Sequence, residues 1–188
     1  LEVVVAHAGA ITFTLKVPGR AAHASMRREG VSALDKLSML TQALAEDERI
    51  RNESETHPLM RAIGLPYPTI IGQVEGGNWP STVMDSVEAH GRYGVRLGQD
   101  CDGAAADLTA AVTAAWEADD WLSGFPVNLE VWGGRFDSAA VDADHELPLS
   151  LATAHQQTTG DRPPLTGVPY GADMRLLVNQ GGTPTVMY

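Results

Sequence analysis

Ile11-Thr12-Phe13-Thr14-Leu15-Lys16-Val17-Pro18-Gly19-Arg20-Ala21-Ala22-His23-Ala24-Ser25 sets the reading of the whole chain. Its first seven residues alternate apolar with polar, the period-two pattern of a strand buried on one face. Pro18-Gly19 ends that strand. From Val31 the period changes: Leu34, Leu37, Leu40 and Leu44 recur at three and four residues, one face of a helix. His23 therefore lies on a strand-to-helix connection. The small residues around it leave room for a ligand to approach the ring.

The same grammar continues outward. Thr69 to Val74 is rich in β-branched residues and predicts a strand. Gly76-Gly77-Asn78-Trp79-Pro80 is a turn, and Ser86 to Arg96 alternates again, pairing antiparallel with the strand before it. Asp102 is placed to cap a helix whose inner face holds Leu108, Val112, Ala115 and Trp116. Val127 to Trp132 is a final strand. Strand, helix, strand, strand, helix, strand over 9–133 is the ferredoxin-like βαββαβ arrangement, two helices on one face of an antiparallel sheet. The flanks read differently. Leu1 to Ala6 is a buried strand, Leu147 to Gln157 a helix with Pro148 in its first turn, Asp173 to Gln180 a helix, and Thr183 to Tyr188 a strand. The fold class is therefore α+β: a lid domain over 9–133 inserted in a partial α/β domain made of 1–8 and 134–188. Both ends break into strands, so a piece of a longer polypeptide is expected.

Bulk properties exclude several functions. The chain has 188 residues, 44% hydrophobic and 20% charged, a globular rather than a disordered composition. A net charge of -11 opposes a nucleic-acid partner, which needs clustered Lys and Arg. No apolar run approaches the ~18 residues of a membrane span, so no membrane partner is expected. The single cysteine, Cys101, cannot close an intramolecular disulfide and suits a reducing, cytoplasmic compartment.

Several residues can carry chemistry, each with a plainer reading beside it. His23 is either a surface histidine near a turn or a hydrogen-bond donor to a substrate carbonyl or developing oxyanion. Asn78 follows two glycines that let a ligand approach the backbone, yet Asn at a turn is also ordinary turn chemistry. Arg92 either faces solvent from its strand or offers its forked guanidinium to a carboxylate, with Arg96 as the alternative. In Tyr170-Gly171-Ala172-Asp173-Met174-Arg175, Asp173 can cap a helix. Asp142, Asp144, His145 and Glu146 crowd into one short stretch. A hydrolytic zinc site draws ligands from several elements, so this cluster reads as an acidic helix start instead. His7, His57, His90 and His155 show no partner pattern and read as surface or scaffold.

In order and spacing, Gly19 to Ser25 with Gly30, Gly76-Gly77-Asn78-Trp79-Pro80, Arg92 and Tyr170 to Arg175 resemble the zinc-dependent aminoacylase, acetylornithine deacetylase, succinyl-diaminopimelate desuccinylase and carboxypeptidase G family of metallohydrolases. The resemblance implies a parent protein that hydrolyses the amide bond of N-acyl amino acids or peptides. It implies two zinc ions, held by Asp, His and Glu ligands and served by a Glu general base, all outside these residues. This chain is then expected to be inactive alone and to hold no metal. It implies a homodimer formed through the lid, with His23 reaching across into the partner's active site. Asn78 and Arg92 would hold the substrate, and Gly171, Asp173 and Arg175 would line its pocket. Two alternatives stand beside this reading: a non-enzymatic ferredoxin-like dimerisation or small-molecule-binding module, and a degenerate family member without metal.

Overall fold

The computed structural model covers residues 1–188 and contains two sheets. The larger is built from β2 (Gly9–Pro18), β3 (Ile70–Gly76), β4 (Ser86–Val95) and β5 (Asn128–Phe136), in the order β3-β4-β2-β5. Every pairing in it is antiparallel. Helices α1 (Ala33–Glu53) and α3 (Cys101–Glu117) cover one face, the ferredoxin-like arrangement. Between them in sequence lies the short α2 (Pro58–Ala62). The smaller sheet has β1 (Val3–His7) at its centre, antiparallel to β6 (Ala139–Ala140) and parallel to β7 (Leu165–Val168). Helix α4 (Glu146–Thr159) packs with it. No helix is long and apolar enough to cross a membrane.

The alternation of β2 decides the core. Ile11, Phe13, Leu15 and Val17 point to the helices, where they meet Leu37, Leu40 and Leu44 of α1 and Ala104, Leu108 and Val112 of α3. Removing one such leucine from water stabilises the fold by about 1.5–3 kcal/mol. A polar network ties α1 to the sheet edge. Arg51 donates to Asp47, to the Gly94 carbonyl and to Thr69, at 2.8, 2.8 and 2.6 Å. Its guanidinium lies 3.9 Å from the Tyr93 ring centroid, and Tyr93 in turn donates to Asp47 at 2.9 Å. Every charge here is matched, which a buried arginine requires.

Four local expectations need correction. Leu34 is 47% exposed; the buried stripe of α1 starts instead at Ala33. The cap of α3 is Asp100, whose carboxylate accepts from Gly103 N–H at 2.7 Å, while Asp102 lies inside the first turn and pairs with Arg135 at 2.5 Å. Only a π-helical turn, Leu176–Gln180, forms where a helix from Asp173 was expected. Thr183 to Tyr188 makes a single antiparallel bridge, Met187 with Val4, rather than a strand, because the next positions along β1, Ala6 and His7, are already paired with β6. The short β7 has no period of its own in the sequence.

His7 ends β1, one residue before the larger sheet begins, and is fully buried. Its Nδ1 lies 2.8 Å from the carbonyl of Ala8, which can only accept, so Nδ1 carries the ring proton. The Nε2 lone pair is buried without a protein partner. Desolvation by burial lowers the His7 pKa below its ordinary value near 6.5; the Ala8 carbonyl opposes the shift and the charge of Arg175 adds to it.

Two outcomes follow. Leu40→Ala and Leu108→Ala should each cost about 2–5 kcal/mol in urea-unfolding experiments, as for other fully enclosed leucines. The unfolded chain takes up a proton on residue 7 at a higher pH than the folded chain. The His7 contribution is therefore intact above the unfolded pKa near 6.5 and is lost as pH falls through and below it. His7→Gln should flatten the decline of unfolding free energy between neutral and mildly acidic pH, relative to the parent.

Candidate functional site

The connection after β2 is held by close backbone approach. Arg20 and Val31 exchange two backbone hydrogen bonds, at 2.8 and 2.9 Å. A Cβ on Gly19 would sit 2.4 Å from the Val31 carbonyl, so only glycine lets the strand exit and the helix entry pass. His23 then bridges to Thr82 in the β3–β4 connection, with Ala24 N–H on the Ser81 carbonyl and Val83 N–H on the Ala22 carbonyl. The ring is exposed and caps the short 3-10 helix Ala24–Glu29. Its Nδ1 accepts from Ser25 N–H at 3.2 Å and contacts Ser25 Oγ at 2.8 Å. With Nδ1 an acceptor, the neutral ring carries its proton on Nε2, a donor facing outward. The indole of Trp79 is 5.9 Å away, centroid to centroid. Asn78, exposed in the same turn beside Trp79, shares this end of the sheet. His23 and Asn78 form one cluster.

Arg92 belongs to another. It lies on the helix-free face of β4, opposite Thr12 on one neighbour and Ile70 on the other. Its two Nη atoms donate to the carbonyls of Pro68, at 3.2 Å, and Pro169, at 2.8 Å. The second bond reaches the loop that carries Tyr170 to Arg175. Desolvation lowers the Arg92 pKa, though the group stays charged at any physiological pH. Gly171 packs on Phe136 at the end of β5: a Cβ there would lie 2.6 Å from the Phe136 Cβ. The Arg175 guanidinium stacks 4.7 Å over the Phe136 ring, and its Nε is buried without a partner. Asp173 is exposed beside them, its carbonyl accepting from Leu176 N–H. Arg96 points elsewhere, to Asp107 of α3 at 3.8 Å.

The two clusters sit at opposite ends of β4. Arg92 and Ser86 are six residues apart on that strand, roughly 20 Å at about 3.3 Å per residue. Thr82, the partner of His23, lies further out still. One chain does not bring His23 and Arg92 to a single small ligand. Nor does any group of three His, Cys, Asp or Glu side chains converge in a geometry that could hold a metal ion; the residues of this chain do not fit a metal centre. His145, at the acidic stretch, caps α4 through its own ring, which accepts from Leu147 N–H at 3.1 Å. His7 and His90, which show no partner pattern in the sequence, are placed inside the structure: His7 is fully buried, and His90 shares a contact face with Thr14 and Trp132. The period-two alternation of β2 carries the signal for that face, since it turns Thr12, Thr14 and Lys16 away from the core.

Known proteins share this arrangement. The acetylornithine deacetylases of Salmonella heidelberg (strain SL476) and Erwinia tasmaniensis are 27% and 29% identical over 121 and 122 residues. Those stretches are 62% of this chain but 30% of each relative. A metallo-carboxypeptidase of the M20 family from Sulfolobus solfataricus superposes with a TM-score of 0.70 at 13% identity, over 97% of this chain and 50% of the other. The aminopeptidase PepT of Bacillus cereus gives 0.65 at 21% identity, over 98% and 44%. These structures share the fold, and the chain spans half their length or less. The profile of the peptidase dimerisation domain matches residues 5–120, and the chain therefore belongs to the M20 peptidase dimerisation domain family.

Proposed function

We propose that the chain is the lid and substrate-holding part of a hydrolase that cleaves the amide bond of N-acyl amino acids or peptides, and that its active site is completed by a second copy. The separation of the two clusters carries this reading. A substrate held by Arg92 lies far from His23 of the same chain, so the imidazole serves a site centred on the partner subunit. Membership of a peptidase dimerisation family supports the pairing of two lids, and β3 offers an edge strand with Ile70 and Val74 exposed, at 60% and 50%. Groups that bind zinc are not furnished by these residues; in this proposal they belong to the length of the relatives that the chain does not cover. The lone buried Cys101 fits a cytoplasmic setting.

The roles follow from donor geometry. Arg92, fixed by two carbonyls, keeps N–H groups free to hold a substrate carboxylate. Gly171 brings backbone close to the ligand, Asp173 borders the pocket, and Arg175 supplies positive charge there. Asn78 orients the acyl carbonyl together with His23. His23 Nε2–H donates to the oxygen that becomes negative as the amide carbonyl is attacked, a donor preset by Ser25. A binding module without chemistry would need neither this outward donor nor its fixed tautomer.

In the full-length protein, His23→Ala should lower kcat by about two to three orders of magnitude with KM little changed, the cost of losing one oxyanion donor. Turnover close to the parent would remove the catalytic role. Mixing His23→Ala subunits with Arg92→Ala subunits should restore activity above either variant alone, since one site of the mixed dimer then has both groups. No restoration, with mixed dimers shown to form, would place both residues in one subunit's site.

A further inference from the structure

The helix-free face of the larger sheet carries a groove around Arg92, most of whose walls have no role in the reading above. Register places Ile70, Arg92, Thr12 and Trp132 side by side in one row across all four strands. A depression of about 260 Å3 follows that row, walled by these side chains with Gln73 and His90. No carboxylate lines it. Ile70 and Trp132 present apolar surface to solvent on either side of the guanidinium, Trp132 being 46% exposed.

Trp132 is held in place from below. Its indole N–H donates to Thr14 Oγ1 at 2.6 Å. Thr14 is buried, and its hydroxyl lies 2.9 Å from His90 Nδ1. The other ring nitrogen of His90 faces Glu88 Oε1 at 3.5 Å. A carboxylate only accepts, so the neutral imidazole carries its proton on Nε2, and Nδ1 receives the Thr14 hydroxyl proton. His90 and Trp132 also meet edge to face, centroids 6.1 Å apart. The indole is thus oriented before a ligand arrives, which reduces the entropy lost on binding.

We propose that this groove is a side-chain subsite for the substrate anchored by Arg92, selecting N-acyl amino acids with an aromatic or branched apolar side chain over those with a cationic one. This rests on the amide-hydrolase reading. A ligand carboxylate on the free N–H groups of Arg92 places the adjoining side chain between Ile70 and Trp132. A cationic side chain would meet the like charge of Arg92, with no acid in the groove to offset it.

The test is kcat/KM of the full-length protein for N-acetylphenylalanine, N-acetylleucine, N-acetylornithine and N-acetylglycine. The phenylalanine and leucine compounds should exceed the ornithine compound by about tenfold or more. Trp132→Ala should lower the phenylalanine value about tenfold and leave the glycine value within about twofold, and Trp132→Phe should keep the phenylalanine preference. An ornithine compound that is cleaved as well or better, or a Trp132→Ala loss equal across all four, overturns the subsite. If none is hydrolysed, the amide-hydrolase reading fails. Calorimetric titration of the same protein then decides the subsite: tighter binding of N-acetylphenylalanine than of N-acetylornithine sustains it, and equal or weaker binding overturns it.

Discussion

Ten residues of β2, Gly9 to Pro18, pair in unbroken register with β4, and the position of every other group follows from that ladder. Side chains alternate across a strand, so a slip of one residue would drive Thr14 and Lys16 into the core and expel Phe13 and Leu15. The register also sets the spacing of function along the sheet. It holds His23 and Asn78 at one end and Arg92 toward the other, at a separation that backbone geometry enforces and side-chain motion cannot close.

Two arginines flank the loop before β3 and show how burial divides structure from function. Arg51 meets Asp47, a carbonyl, a hydroxyl and an aromatic face, and its charge is balanced by Asp47 within the fold. Arg92 is also desolvated, but its two hydrogen bonds go to neutral carbonyls. A charge held away from water with only dipoles around it still lacks a counter-ion. An anionic ligand supplies one, which is the physical ground for reading Arg92 as a recognition group and Arg51 as scaffold.

Much of this was legible in the sequence where one pattern dominated. The alternation of β2 and β4 and the leucine spacing of α1 specify the lid, because each element has one buried face and enough length to display its period. Asp100 and Asp102 are both good caps, and only backbone conformation tells which residue precedes the helix. Leu34 lies at the margin of its stripe: three residues before Leu37 it fits the helical period, yet its neighbour Ala33 takes the buried position in the first turn. The short β7 could not be seen: four residues containing a glycine, after two prolines, carry no period of their own. The region after Asp173 is less regular than its leucines suggest: they imply a buried helical face, yet Leu176 and Leu177 stay exposed. As for the site, the residue types at positions 23, 78 and 92 were visible, but not their grouping. Which of them share one end of a sheet depends on strand pairing between distant segments. Local sequence does not encode that.

The two sheets are joined by two crossings that run side by side. His7 passes through Ala8 into Gly9, and Phe136 passes through Asp137 and Ser138 into Ala139, while His7 pairs with Ala139 and Ala10 with Phe136 on either side. A single tether would let the flap swivel freely. Two strands paired side by side leave fewer free backbone rotations between the sheets than one would. The same fold line is also packed: Met60 and Tyr67 are buried against Ala6 and Ala8, and the Arg92–Pro169 hydrogen bond spans it, so moving one sheet against the other would break apolar and polar contacts together.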